Sequence, residues 1–367
     1  MALIGVTLAA CAAAQEQELD LFGPSRLGTF PDAFPAVQGL GPSEPATGSP
    51  IGSAGGFASD ASEPLDGAAY PPPAKRCVVL QCETLPIRPA EKFFSTGVIL
   101  WTAIGLVSGA VVGLKGPWHY GYQPFSFYDE SYFQFWTYGA GSDKVSHFVI
   151  SATVGGLAYD AYRLNGLTED QAFGLGLATT VIIGALVEIG DGLTPYGFSA
   201  QDWTSDALGA LAGLVIRRTH TDDLLSLRLG EIPTTIPSEI TGGRPLFGLN
   251  YSGEIYSGDV KFSGLFRRLG RDPGLGRFFL FSFAYLSKGY GYTPPLDSRY
   301  QMVGWEIGLD FPEILKAVGV DDSTWWGDIL QRAFSFLHLP YAQVGAYYNL
   351  TTGKWYGPGA PYHYLGR

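Results

Sequence analysis

Residues 185–213 read ALVEIGDGLTPYGFSAQDWTSDALGALAG, and the order of apolar and acidic positions along them decides the fold. An apolar run closes on Glu188 and Asp191, a segment bearing Gly and Pro turns the chain, and a second apolar run opens behind Ser199, Asp202 and Asp206. Ser199 followed three positions later by Asp202 has the form of a capping box, which marks a helix start. Upstream, DKVSHF (143–148) opens a further helical pattern in which Asp143, Lys144 and His147 lie on adjoining surfaces of one turn. The periodicity predicts helices over about 142–163, 168–189 and 199–217. Gly155, Gly156, Gly174, Gly176, Gly184, Gly209 and Gly213 recur at spacings that let helix backbones approach closely.

Working outward, residues 93–114 (FFSTGVILWTAIGLVSGAVVGL) are uncharged and flanked by Lys92 and Lys115, and they reach the roughly 20 residues that a bilayer span requires. This is the one strong span signal. The other three patterns carry ionisable residues in shorter apolar runs and are core helices, re-entrant segments or marginal spans. Together they predict a tight bundle of about four helices over 91–220. Up-down packing would bring the start of its second helix, the end of its third and the start of its fourth to one end. The aromatic loop between the first two helices (WHYGYQPFSFYDESYFQFWTYG) suits a membrane interface or the mouth of a pocket.

Past about residue 240 the period becomes two. Phe279, Phe281, Phe283 and Tyr285 share one strand face, and Val303, Trp305, Ile307 and Leu309 share another. With GLNYSGEIYSG, DVKFSGLF and AQVGAYYNL, this predicts five or six antiparallel strands over 221–367, with one amphipathic helix at 325–337. The smallest bacterial outer-membrane barrels have about eight strands, so a curved sheet packed on the bundle is expected. The fold class is α+β: an N-terminal, membrane-associated helical bundle followed by an antiparallel β region.

The N-terminus reads as an export signal over 1–14. Either Leu8-Ala9-Ala10-Cys11 is a lipobox, with Cys11 lipidated, or Ala12-Ala13-Ala14 is an ordinary cleavage site. Residues 15–90 form a Pro- and Gly-rich tether, too poor in apolar area to offset its ordering entropy. Cys77 and Cys82, in CVVLQC, either close a small disulfide loop or remain free thiols. Charged residues make up 16% against 46% hydrophobic, which favours lipid contact over a fully solvated surface, and the net charge of −11 excludes a phosphate-backbone partner. The expected location is the bacterial cell envelope, membrane-associated after export, with lipid as partner and no protein partner indicated.

His147, Glu188, Asp191 and Asp206 are the candidate chemical residues, with Asp143, Lys144, Ser199 and Asp202 supporting them. A carboxylate in an apolar bundle must be paired, protonated or bound to a cation. Three readings follow: a buried network that fixes the bundle, an active or binding site for an amphiphilic envelope molecule, and an ion or proton pathway. In the second, His147 is general base or ligand and the acids are proton donors, acceptors or cation ligands. Plainer roles also exist. Asp143 and Asp202 occupy first helical turns, Lys144 could snorkel, and a buried His bonded to a carboxylate is a common structural solution. No cofactor is specified beyond a divalent cation held by His and carboxylates. HExxH, GxxxxGK[ST] and GxSxG are all absent from the sequence.

The pattern Asp143-Lys144-x-x-His147-Phe148, then Glu188-x-x-Asp191, Phe198-Ser199-x-x-Asp202, Asp206 and Gly209, resembles the YfiM-like family of bacterial envelope proteins, which are catalogued as predicted periplasmic lipoproteins. More distantly it is similar to the VanZ-like membrane proteins. RYQMVGWEIGLDFPEIL (299–315) and FSFLHLPYAQVGAYYN (334–349) are similar to the C-terminal region of longer relatives. The resemblance implies that these residues form one site, and it assigns no substrate.

Overall fold

The computed structural model describes residues 75–84, 87, 89–90, 92–231, 251, 254–288 and 299–359. The expected signal at 1–14, Cys11 and the tether as far as residue 74 lie outside the described residues. Residues 75–84, which composition alone put in the tether, form a hairpin of β1 (Lys75–Val78) and β2 (Gln81–Thr84), with Cys77 and Cys82 joined by a disulfide. The short CVVL run supplies apolar β-branched residues: Val78 and Val79 are fully buried against Leu157, Ala161 and Leu164. The Val79 N–H donates to Asp328 at 2.6 Å.

Four long helices follow. Helix α1 (Thr96–Tyr120) starts later than residue 93, because Ser95 is extended at its N-cap, and it continues past Leu114 through Pro117. Phe93 and Phe94 pair edge to face ahead of it, with ring centroids 4.7 Å apart. Helix α2 is Ser142–Leu164, α3 is Glu169–Gly192 and α4 is Ala200–Arg218. Thr168 and Gln171 form a reciprocal capping box at the start of α3. Among the described residues, two stretches are long and apolar enough to cross a membrane by length and composition, Thr96–Trp118 and Glu169–Gly192. The second exceeds the sequence expectation because Glu188 and Asp191 sit near its end, leaving the apolar run before them intact.

Helix α1 packs on α3, and α2 packs closely on α4. The α2–α4 approach depends on absent side chains: a Cβ at Gly213 would come within 1.9 Å of the Ala152 carbonyl oxygen, and one at Gly209 within 2.1 Å of that of Phe148. The aromatic loop is tied across the base of α4 by a short parallel pairing of β3 (Phe127–Tyr128) with β4 (Phe198–Ser199).

The remaining strands form a six-stranded antiparallel sheet in chain order: β5 (Leu225–Glu231), β6 (Glu254–Lys261), β7 (Phe279–Lys288), β8 (Tyr300–Leu309), β9 (Gln343–Asn349) and β10 (Lys354–Gly359). The α+β class therefore holds. Strand β5 follows α4 so closely that its alternation was not separable from the helix pattern. KFSGLF, expected as strand, instead leaves β6 at Lys261 and enters α5 (Phe262–Arg268). A short helix α6 (Phe311–Ala317) precedes the anticipated amphipathic helix, α7 (Trp325–Phe336).

The sheet's two faces are unusual. Phe279, Phe283, Val303, Trp305, Ile307 and Val344 are exposed on one face. Leu229, Tyr256 and Tyr285 are in register with Val303 and so share the aromatic face, where they pack against Val149 and Ile150 of α2 and Phe336 of α7. The opposite face mixes small and polar residues, Ser282, Gly304, Glu306, Gly308, Gln343 and Gly345, with a buried apolar cluster of Ile255, Ala284, Leu286, Met302 and Tyr347. Several polar groups on this face are paired. Arg228 binds Asp259 bidentately at 2.5 and 3.0 Å, and His338 Nε2 lies 2.6 Å from Glu306, which also accepts from Tyr347. Asp160 on α2 is ringed by Arg332 at 2.7 Å, Arg217 at 3.5 Å and Arg76 at 3.8 Å, linking hairpin, helices and α7.

Candidate functional site

The start of α2, the end of α3 and the start of α4 converge, and their polar side chains meet around His147. Its Nδ1 lies 3.2 Å from both carboxylate oxygens of Asp206 and 4.0 Å from Glu188 Oε1. Its Nε2 lies 3.7 Å from Asp143 Oδ1. Asp206 also accepts from Ser151 Oγ at 2.6 Å. Gly184 makes room for that carboxylate, since a Cβ there would come within 2.6 Å of Asp206 Oδ2. Glu188 is almost fully buried; Oε2 accepts the Ser199 N–H at 3.0 Å, and Oε1 has no hydrogen-bond partner.

Lys144 organises the other half. Its Nζ lies 2.7 Å from Asp143 and 2.6 Å from Asp202, and it donates to Glu130. It is 4% exposed, so it is an internal counter-ion and does not snorkel. Ser199 caps α4 through Oγ, which accepts the Asp202 N–H at 3.2 Å. Asp202 thus combines its expected helix-end position with a buried ion pair. Asp191 is not one of the donors that converge on His147. Its backbone carbonyl accepts N–H groups from Thr194 and Gly197 at 2.9 and 3.1 Å, closing the turn that leads to α4.

The electrostatics follow from these contacts. Burial alone would lower the His147 pKa, but Asp206, Asp202 and Asp143 hold it well above its ordinary value. Burial would raise Asp143, yet Lys144, His147 and the Tyr251 hydroxyl, which donates at 2.6 Å, hold it below the usual carboxylate range. Burial also opposes the charge on Lys144, and its three carboxylate neighbours overcome that and raise its pKa. Glu130 is pushed up to about 8 by burial and by Asp143 and Asp202, against the pull of Lys144. Asp202 is raised by burial and Asp143, with His147 and Lys144 opposing.

Glu130, Ser151 and Tyr251 belong to this cluster and were not singled out by sequence reasoning. Ser151 lies four positions after His147 on the same helix face, a legible signal. Asp129 and Glu130 are the only acids in the aromatic loop. Tyr251 arrives from a distant part of the chain and left no local trace. A separate pocket between the helices and the first strands is lined by Arg217, Asp222, Lys261 and Arg332, among others, and shares no residue with the His147 cluster.

The fold and the cluster define an α+β protein with a buried polar junction between helix ends. Residues 129–218, which contain that junction, match the family described as predicted periplasmic lipoprotein (DUF2279), consistent with an exported, envelope-associated protein. No curated protein and no solved structure matches the chain.

Proposed function

We propose that the protein is a membrane-embedded component of the bacterial cell envelope, held in lipid by α1 and α3, in which the polar junction locks the ends of α2, α3 and α4 together. The observation that carries this reading is the stripe Leu100, Val107, Val111, Leu114 and Trp118, exposed along one face of α1 at helical spacing. Such an apolar stripe on a 25-residue helix costs free energy in water and none in hydrocarbon. The sheet adds a second exposed apolar patch, formed by Phe279, Phe283, Val303, Trp305, Ile307 and Val344 on one face. The junction's charges are largely paired, and no lining residue of the separate pocket reaches them, which favours a network that fixes the helices over a substrate site. The finer likeness to YfiM-like and VanZ-like proteins rests on the motif from Asp143 to Gly209.

Alkaline carbonate extraction of envelopes containing the full chain tests this. Both the wild type and Cys11→Ser are expected to stay with the membrane pellet, since the helices hold the protein whether or not Cys11 carries lipid. Release of Cys11→Ser into the supernatant would contradict helix anchoring.

A further inference from the structure

Two overlapping groups of donors surround His147, and they differ in what already neutralises them. Asp143, His147 and Asp202 are close enough to share a cation, but the Lys144 ammonium sits within 2.7 Å of both acids and fills that role. His147, Glu188 and Asp206 have donor atoms within 4.8 Å of one another and no lysine or arginine among them. A cation about 2.1 Å from each donor requires donor separations of at most about 4.2 Å. The Nδ1 distances of 3.2 Å to Asp206 and 4.0 Å to Glu188 Oε1 lie within that limit, and the Glu188 and Asp206 oxygens are within 4.8 Å of each other. Independently, the Glu188 side chain is 2% exposed, and its Oε1 accepts no hydrogen bond although it is aimed at His147. A buried carboxylate oxygen without a partner is costly, and a cation removes that cost.

We propose that His147 Nδ1, Glu188 Oε1 and an Asp206 carboxylate oxygen form a site for one divalent transition-metal cation of the Zn2+ or Mn2+ class. One imidazole with two carboxylates is a mixed nitrogen and oxygen donor set, unlike the all-oxygen cages that Ca2+ and Mg2+ prefer. The surroundings are those of a supported ligand set. Asp143, 3.7 Å from the far ring nitrogen of His147, places a negative charge behind the imidazole, while Ser151 and the Ser199 N–H fix the remaining carboxylate oxygens. The His147 side chain is 22% exposed, which gives an ion a way in. The site does not depend on the membrane reading, since its donors would converge in either solvent.

The test uses the full chain, purified in detergent, stripped with a chelator and titrated separately with Zn2+ and Mn2+, with bound metal counted after desalting. One equivalent of one of these ions is expected. Glu188→Gln and Asp206→Asn should each weaken binding by about 100-fold or more, and Asp143→Asn by about 10-fold. Asp170→Asn, at an exposed carboxylate, should leave binding unchanged. Should the ligand variants fail to fold by circular dichroism, pulsed electron paramagnetic resonance of the Mn2+-loaded wild type decides, and coupling to one imidazole nitrogen is expected. No uptake of either ion, unchanged affinity in folded Glu188→Gln and Asp206→Asn, or no nitrogen coupling would overturn the proposal.

Discussion

Glu188 Oε2 accepts the backbone N–H of Ser199 at 3.0 Å, so one carboxylate at the end of α3 fixes the residue that caps α4. The interaction joins residues eleven positions apart across the turn and sets how α4 presents Asp202 and Asp206 to Lys144 and His147. Removing the acceptor strands a buried N–H, which costs about 1–3 kcal/mol. Glu188→Ala is expected to lose stability in that range by chemical unfolding in detergent. Glu188→Gln keeps an acceptor oxygen and should lose under about 1 kcal/mol. Equal losses would mean that the carboxylate charge, and not the bond to Ser199, holds the turn.

Glycines on α4 and α3 provide a matched pair. Gly213→Ala places a methyl 1.9 Å from a backbone carbonyl of α2, which cannot rotate away, so a loss of about 3 kcal/mol is expected. Gly174 has nothing within 4 Å of its would-be Cβ, and Gly174→Ala should gain up to about 1 kcal/mol from helix propensity. Thermal unfolding of the two variants beside the wild type checks the sign of each.

Asp160 neutralises Arg332 and Arg217 between α2, α4 and α7. Asp160→Asn removes one of two carboxylates at each arginine, since Arg332 keeps Asp328 at 2.8 Å and Arg217 keeps Asp222 at 2.7 Å, so a loss of about 1–3 kcal/mol is expected. A double substitution, Asp160→Asn with Arg332→Met, should recover part of that loss. No recovery would show that Asp160 acts mainly through Arg217 and Arg76.

The pH dependence should carry the signature of Glu130. Its pKa rises from an ordinary 4.5 to about 8 on folding, so the folded state holds this proton more tightly. The stability it contributes is full below about pH 4.5 and is lost as pH rises toward about 8. Over that window the unfolding midpoint of the wild type should fall more steeply than that of Glu130→Gln. Parallel profiles would mean that Glu130 titrates as an exposed acid.

Much of the junction was legible because helical spacing is a strict code. Acids three and four apart at the ends of apolar runs must meet when short turns connect antiparallel helices. Glu130 was not legible, because the β3–β4 pairing that delivers it to Lys144 involves two residues from each strand and leaves no period in the sequence. The hairpin at 75–84 was hidden by the Pro- and Gly-rich composition around it, although CVVL is apolar and β-branched. The strand faces of β7 and β8 were readable from alternation, but which face turned outward was not. Period two gives the faces, and the partners that cover one of them come from α2 and α7. His338 and Glu306 lie 32 positions apart and meet only because the Glu306 face of the sheet brings them together.

Lipid contact along α1 and α3 is open to measurement by spin-label accessibility. Nitroxides would be placed at Val107, Val111 and Ile182 in the full chain, with Cys11 changed to Ser and Cys77 and Cys82 already joined. In reconstituted bilayers, collision with oxygen should exceed collision with a water-soluble nickel chelate at all three sites, and the order should reverse at Asp170, exposed in the first turn of α3. A preference for the nickel chelate at Val107 and Ile182 would mean that α1 and α3 face water.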